Sequence, residues 1–287
     1  MKEIPNSQKR VSFLQKILLL LSLTLMCLFL AALALLAFGN GISAMRWGIV
    51  VQNVLVFMIP AFLTAAVIYR QPLAFLDADA LPSWRMVGFA LLLYFAALPA
   101  FNFITWLNEQ MTLPAFLSGV EEWMRAHEEA NGALTEQLLS LNTVGDMLIS
   151  VLLVGVLTGM GEETFFRGAL QNILFSKPMN RHAAVWISAV VFSAIHVQFF
   201  GFVPRMLLGA LFGYMMLWSG SLWLAALLHA INNSLVVITL YLSKNGCEAA
   251  EHFSDMGSPD FMPWTAAVSA VAAVAIIYYF RIKKQVR

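Results

Sequence analysis

Residues 161–167 read Gly-Glu-Glu-Thr-Phe-Phe-Arg, and they place three charged side chains inside a long apolar stretch. The residues before them, 147–160, are mostly apolar, and apolar sequence resumes after them through Ala169, Leu170, Ile173, Leu174 and Phe175. A charge at the centre of a bilayer costs at least ~2.5–3.5 kcal/mol on insertion scales, so charges at this depth indicate a pairing or a function. Glu163 and Arg167 are i, i+4 neighbours on a helix and are predicted to pair. Glu162 lies roughly 100° around the helix from Glu163 and is left free.

The composition predicts an all-α, polytopic membrane protein. The chain has 287 residues, of which 60% are hydrophobic and 11% are charged, with a mean hydropathy of +0.78. A soluble domain has about a quarter of its residues charged. The net charge of +1 and the lack of a basic tract away from the ends exclude nucleic acid as an implied partner. Cys27 and Cys247 form neither a disulfide framework nor a metal-ligand spacing. We expect one integral membrane domain, 1–287.

About 20 apolar residues make one span, and the sequence predicts eight spans. The first apolar run, 17–38, is longer than the apolar region of a signal peptide, so we interpret it as a transmembrane helix. The predicted spans are approximately 14–38, 47–69, 86–107, 145–175, 183–200, 203–218, 222–242 and 263–281.

The distribution of basic residues predicts the orientation. In this arrangement most lysines and arginines of the joints fall on the side of the two termini. By the positive-inside rule, both termini are expected in the cytoplasm. The residues on that side are Lys2, Lys9, Arg10, Lys16, Arg70, Arg85, Lys177, Arg181, Arg281, Lys283, Lys284 and Arg287. Those on the other side are Arg46, Arg125, Arg205 and Lys244.

The long segment 108–144 is expected outside, and it is acidic. Apolar residues at near-helical spacing predict an amphipathic helix on the outer leaflet, which ends or divides at Gly132. A solvated acidic loop is the alternative. The other acidic segment, 244–262, has no apolar period and is expected to be a loop. The G-x-x-x-G steps at Gly155/Gly159 and Gly209/Gly213 are expected to serve helix packing.

Further polar side chains lie in the late predicted spans, and their spacing predicts that they meet Glu162. Glu162 precedes Met179, in the turn between two spans, by 17 residues, and His196 follows Met179 by 17 residues. Two antiparallel helices would therefore carry both side chains at equal depth. His229 and Asn233 are i, i+4 on another span. We expect these four groups to converge in one cavity, nearer its cytoplasmic opening than the acidic outer segments.

This set of groups is suited to peptide hydrolysis. A carboxylate beside a histidine in a water-poor site, as Glu162 beside His196, is a general acid–base pair. His229 and Asn233 are donors that could hold an oxyanion. Ser193 is off the face of His196, so water is the expected nucleophile. Each group also has a purely structural interpretation, as an interhelical hydrogen-bond donor or a buried ion pair.

The motifs Glu162-Glu163-x-x-x-Arg167, Phe192-x-x-x-His196 and His229-x-x-x-Asn233 resemble those of the CAAX protease and bacteriocin-processing family of intramembrane peptidases. The resemblance covers about 145–243, which is the expected catalytic core. It implies a glutamic-type endopeptidase without metal or other cofactor, with about eight helices around a conical cavity that is open to the cytoplasm.

The resemblance also implies a role for each matching residue. Glu162 would activate water with His196, and His229 and Asn233 would hold the oxyanion. Glu163 and Arg167 would support the site. The expected partners are the lipid bilayer and a peptide or membrane-protein substrate cut near the cytoplasmic face of a bacterial or archaeal plasma membrane.

Three alternatives remain at this point. Glutamate and two histidines are also a set that can bind zinc, which would make a zinc-dependent membrane peptidase. The same cavity could serve a non-catalytic scaffold or an immunity protein that binds a partner. A proton-coupled transporter is disfavoured because the two halves carry no inverted repeat. The sequence does not select a substrate or an oligomeric state.

Overall fold

A computed structural model describes residues 11–140, 142–176 and 180–285, and these residues form helices and no strand. Six helices are long and apolar enough to cross a membrane, so the chain is an all-α, polytopic membrane protein. We number the helices in chain order. Their bounds are α1 Phe13–Leu35, α2 Ile42–Ile68, α3 Pro72–Phe75, α4 Trp84–Glu109, α5 Ser118–Leu138, α6 Val144–Phe175, α7 Arg181–Ala194, α8 Phe202–Ser219, α9 Leu222–Lys244, α10 Glu248–Asp255 and α11 Trp264–Gln285.

Each of the eight predicted spans corresponds to one helix, but only six meet the length expected for a crossing. The exceptions are α7, which has 14 residues, and α11, whose apolar part is Trp264–Phe280. The count of eight crossings therefore stays a prediction. Met179, the centre of the predicted turn between α6 and α7, lies outside the described residues.

Polar residues at the helix ends explain where several helices begin and end. Ser12 caps α1 in a reciprocal arrangement with Gln15, and Thr143 accepts a hydrogen bond from the backbone N–H of Asp146 at the start of α6. Asn180 caps α7 in the same way. These side chains accept hydrogen bonds that the first helical N–H groups cannot make within the helix. Gly220 ends α8 with a φ of 67°, a conformation that glycine adopts without steric cost.

The acidic segment 108–144 contains a helix, as predicted, but the predicted break at Gly132 is wrong. One helix, α5, runs through this glycine for 21 residues. A glycine inside a helix costs only about 1 kcal/mol relative to alanine, which a helix of this length tolerates. Glu121 accepts hydrogen bonds from the Leu113 N–H and from Arg125, and these contacts hold the pKa of its carboxyl below the usual range. They attach the preceding connection to the first turn of α5.

The second acidic segment, 244–262, also differs from the prediction. It contains α10, a helix of eight residues, where a plain loop is expected. Glu248 and Glu251 lie in the first turn of α10, where negative charge stabilises the helix N-terminus.

Close helix packing in the middle of the chain follows from small residues on α6. A Cβ atom added at Gly159 would lie 2.8 Å from the backbone nitrogen of Ala230 on α9, and one added at Gly155 would overlap the side chain of Ser234. The predicted packing role of these two glycines is confirmed. Their absence of side chains lets α6 and α9 approach backbone to backbone, which brings Glu162 and Glu163 against His229.

Replacing Gly159 with alanine is expected to destabilise the protein by about 1–3 kcal/mol, because the atoms that oppose the new methyl group are backbone and cannot move aside. Unfolding in mixed detergent micelles measures the effect. Gly88→Ala on α4 is the matched control, because no atom lies within 4 Å of the added Cβ there. An equal response of the two variants would contradict the proposed close approach.

Candidate active site

The ion pair that the sequence predicts on α6 is present and completely buried. Arg167 Nη1 donates to Glu163 Oε1 at 2.7 Å, and both side chains have no exposed surface. Arg167 Nη2 donates to the backbone oxygen of Gly209 on α8 at 2.8 Å. The second predicted packing step, Gly209 with Gly213, therefore also supplies an acceptor for the buried cation.

Glu163 has a second partner that the sequence does not reveal. Its Oε1 lies 2.8 Å from Nδ1 of His229 on α9. Since a carboxylate only accepts, Nδ1 carries the proton of this bond, and the ring is held with Nε2 facing away from Glu163. Glu163 thus orients a histidine in addition to pairing with Arg167. The two residues are 66 positions apart, so only the packing of α6 on α9 brings them together.

Glu162 lies between the two histidines. Its Oε2 is 3.7 Å from His229 Nε2, and its Oε1 is 3.9 Å from His196 Nε2. Both separations exceed hydrogen-bond distance. The carboxylate is buried, with 5% of its surface exposed. The structure therefore brings Glu162, His196 and His229 together, and it leaves the Glu162 carboxylate close to two imidazole nitrogens without a direct bond to either.

His196 is not inside a membrane helix, contrary to the predicted span 183–200. Helix α7 ends at Ala194, and His196 lies in the turn that follows. Its Nδ1 donates to the backbone oxygen of Phe192 at 2.8 Å, so in the neutral ring Nε2 carries the lone pair that faces Glu162. The depth predicted for His196 by spacing from Met179 requires a helix that continues to residue 200. In the structure α7 ends at Ala194, and the turn that follows positions this histidine.

A cavity of about 370 Å³ opens beside Glu162 and His196. Its wall contradicts the expectation that the site lies away from the acidic outer segments. Part of the wall comes from α5, the helix of the acidic segment, which contributes Asn131, Leu134 and Thr135. The site therefore opens toward the acidic segment and not away from it. Gln52, Phe57, Ile195 and Gln198 complete the lining. Four of the nine lining residues carry an amide or a hydroxyl, groups that can form hydrogen bonds with a peptide backbone.

Asn233 lies one turn beyond His229, and its amide is engaged away from Glu162. Its Nδ2 donates to the Val154 oxygen at 3.1 Å, and its Oδ1 accepts from Asn232. Asn232 in turn accepts a hydrogen bond from the Tyr94 hydroxyl. Asn233 is thus part of an amide chain between α4, α6 and α9, and its role as an oxyanion donor stays a prediction.

Other residues near the site were missed by the sequence analysis. Gln52 and Gln198 are neutral residues in stretches without a motif, and the residues on α5 lie outside the stretch that carries the motifs. Arg205 was counted only as a cation of the outer side. The one signal for it is an arginine in the apolar sequence at the start of α8. Ser193 donates to the Phe202 oxygen and is fully buried, in agreement with its exclusion as a nucleophile.

Helix α6 departs from regular α-helical geometry on both sides of the two glutamates. Wider, π-helical turns run over Val151–Leu157 and Thr164–Gln171, and the α-helical piece Thr158–Glu163 lies between them. Turns of this kind are rare and frequent at functional sites, where they change the direction of side chains. Among the described residues, no group of three or more His, Cys, Asp or Glu side chains is arranged to hold a metal ion.

Comparison with known proteins gives one match. Neither the curated proteins nor the solved structures include a match to the chain. A family model matches over a segment that begins with α6 and ends within α9, and it contains all three motifs. This segment, residues 144–235, matches the family model described as type II CAAX prenyl endopeptidase Rce1-like, which confirms the resemblance that the motifs indicate.

Proposed function

We propose that the chain is an intramembrane endopeptidase that hydrolyses a peptide bond with a water molecule activated by Glu162. The observation that carries this proposal is the position of the buried Glu162 carboxylate, 3.7 and 3.9 Å from two histidine Nε2 atoms, at the edge of a polar cavity. The match of residues 144–235 to an endopeptidase family supports it.

The first step is the formation of the nucleophile. A water molecule held between Glu162 Oε1 and His196 Nε2 gives its proton to the carboxylate, and its oxygen attacks the carbonyl carbon of the substrate. The 3.9 Å between these two atoms is too long for a direct hydrogen bond and allows a water bonded to both. The Phe192 oxygen fixes the ring so that a lone pair, and not an N–H, faces this water.

The second step is the collapse of the tetrahedral intermediate. His229 Nε2 donates to the oxyanion when the ring carries a second proton, and Glu163 holds the ring from the opposite side. Asn233 becomes a second donor if its amide leaves the Val154 oxygen. The C–N bond then breaks, and the proton taken by Glu162 moves to the leaving amine. The products are a free carboxylic acid and a free amine.

The lining of the cavity supports a proposal about the face of the membrane at which cleavage takes place. Helix α5 lies on the same face of the fold as the starts of α2 and α6, which the Arg46–Asp146 ion pair joins, and as the end of α9, where Lys244 donates to the Leu139 oxygen. Because the cavity borders α5, we propose that cleavage takes place at this face. If all eight predicted spans cross the membrane, α5 and both termini lie on opposite sides. Cytoplasmic termini would then place the proposed cleavage on the outer side. Labelling of a cysteine at Glu129 in intact cells, with Cys27 and Cys247 replaced, decides which side α5 occupies.

Profiling of membrane peptides tests the proposed function. Cells that express the protein are expected to show new peptide termini that cells with Glu162→Ala lack, at equal protein level. His196→Ala is expected to lower cleavage by about 10²-fold or more. His252→Ala, on the exposed α10, is the matched control and should cleave normally. Identical termini with the protein and with Glu162→Ala would favour a non-catalytic scaffold.

Metal analysis of the purified protein, together with activity after chelation, tests the zinc alternative. Full activity at a metal content far below one equivalent is the result expected for a glutamate-activated water. Loss of activity on chelation and its return with zinc would replace that mechanism with metal hydrolysis.

A further inference from the structure

Arg205, in the first turn of α8, is a partly buried cation near the site. Its Nη2 donates to Oε1 of Gln198, a residue of the cavity wall. Its Nη1 is buried and has no hydrogen-bond partner among the described residues. The negative charges of Glu162 and Glu128 act on this guanidinium through space.

Comparison with Arg167 shows what Arg205 lacks. Arg167 has a carboxylate at 2.7 Å and a backbone oxygen at 2.8 Å. Arg205 has a neutral amide, and in the described part of the chain no carboxylate oxygen comes within 4 Å of it. A guanidinium nitrogen withdrawn from water, as Nη1 of Arg205 is, is costly unless an anion pairs with it. Arg205 therefore lacks the carboxylate partner that Arg167 has.

The two carboxylates whose negative charges act on Arg205 make their own contacts with other groups. Glu128 Oε2 accepts from the Phe200 N–H at 3.3 Å, and Glu162 faces His196 and His229. An anion that pairs with Arg205 must then belong to another molecule. Such an anion can reach the guanidinium through the cavity, because Gln198 lies on the cavity wall and also accepts a hydrogen bond from Arg205. A carboxylate is a stronger acceptor than the Gln198 amide and can replace it.

We propose that Arg205 is a specificity-determining residue that binds a carboxylate of the peptide substrate beside the peptide bond that the Glu162-activated water attacks. The carboxylate is either the C-terminal group of the peptide or an acidic side chain, which offer the same chemistry to a guanidinium. This inference rests on the proposed peptidase function and adds the class of peptide that the site accepts.

Gly201 gives an independent way to disturb this contact. A Cβ atom at Gly201 would lie 3.2 Å from Arg205 Nη2, so the guanidinium packs directly on the glycine. The φ of Gly201 is −111°, a value that other residues adopt without strain. Gly201→Ala is therefore expected to displace the Arg205 guanidinium without changing the backbone conformation at residue 201.

The test uses one peptide in three forms: with a free C-terminal carboxylate, with a C-terminal carboxamide, and with a carboxamide plus one acidic side chain. The peptide is one recovered by terminal profiling or, where profiling recovers none, a randomised lipid-modified decapeptide pool. The protein is expected to show a KM about 10- to 100-fold lower for one carboxylate form than for the carboxamide. Which form is preferred identifies the source of the carboxylate.

Arg205→Gln is expected to remove this preference, so that its KM values for the carboxylate and carboxamide forms become equal. Arg205→Lys should restore part of the preference, and Gly201→Ala should weaken it. Equal KM values for all three forms would overturn the assignment while cleavage itself upholds the peptidase. An equal loss on every form in Arg205→Gln would overturn it as well, since it would show that Arg205 only positions Glu162.

A binding measurement keeps the test valid without turnover. The Glu162→Gln protein is titrated with the fluorescent carboxylate and carboxamide peptides, with and without Arg205→Gln. A carboxylate preference that disappears with Arg205→Gln supports the site even if no peptide is cleaved, in which case the peptidase proposal fails separately. Equal affinity for the two forms overturns the inference.

Discussion

Replacing Glu162 with glutamine is expected to lower the rate of peptide cleavage by about 10³-fold or more, while the protein remains folded. A positioned general base contributes about 10²–10⁴-fold to such reactions, and glutamine cannot take a proton from water. Its shape is nearly that of glutamate, so the cavity is retained. The loss is measured as kcat/KM on a peptide that the unaltered protein cleaves in liposomes.

The stability of this variant separates a catalytic from a structural role. Within the described residues Glu162 makes no hydrogen bond, and its nearest partners are imidazole nitrogens at 3.7 and 3.9 Å. Removal of a buried charge without a direct partner is expected to leave the thermal midpoint unchanged or to raise it. Glu136→Gln, on the exposed surface of α5, is the control and should change neither quantity. Unfolding of the Glu162→Gln variant, or its normal cleavage, would contradict the proposed role.

The largest loss of stability is expected from Arg167→Met. This change leaves the Glu163 carboxylate buried without its cation, which costs about 3–5 kcal/mol in comparable buried pairs. Glu163 has no exposed surface and cannot turn toward water. The Gly209 oxygen also loses its donor. Unfolding in mixed detergent micelles measures the difference in free energy of unfolding.

A double variant distinguishes the pair from simple loss of packing. Glu163→Gln combined with Arg167→Met removes both charges and is expected to be more stable than Arg167→Met alone. The pair Arg125 and Glu121 on α5 has the same i, i+4 spacing, but its side chains are 49% and 18% exposed, and it is the control. Arg125→Met should cost less stability than Arg167→Met, because a pair in contact with water leaves a carboxylate that water can solvate. Equal effects at the buried and the exposed pair would show that burial does not set the cost of losing the cation.

Glu163 connects this stability to the proposed chemistry. Its Oε1 accepts from both Arg167 and His229, so loss of Arg167 also disturbs the group that holds the His229 ring. The double variant should therefore recover stability without recovering cleavage. The free energy of unfolding and the rate of cleavage are therefore both measured on the same preparations of the double variant.

Local sequence was sufficient for features set by neighbouring residues. The Glu163–Arg167 pair follows from i, i+4 spacing on one helix, and the structure shows it. The close approach at Gly159 follows from a G-x-x-x-G step. The segments that become helices follow from the length of their apolar runs, since lipid requires backbone hydrogen bonds to be satisfied within the segment.

The sequence alone was insufficient wherever a helix end or a distant contact decided the outcome. It did not predict that α7 ends at Ala194 and leaves His196 in a turn. It also did not predict that α5 continues through Gly132 and contributes to the cavity wall. Both depend on the fit of one helix against others, which residue spacing along a single segment does not encode.

The sequence by itself determined that charged side chains and the His229 imidazole lie within apolar helices, and that Glu163 pairs with Arg167 and leaves Glu162 free. These properties depend on helical geometry and on the cost of charge in lipid, which act on a few adjacent residues. Only the tertiary structure decided that His229 binds Glu163, that Glu162 lies between two histidines, and that the cavity faces α5. The physical reason is that these contacts join residues far apart in the chain, so they exist only once α5, α6, α7 and α9 have packed together.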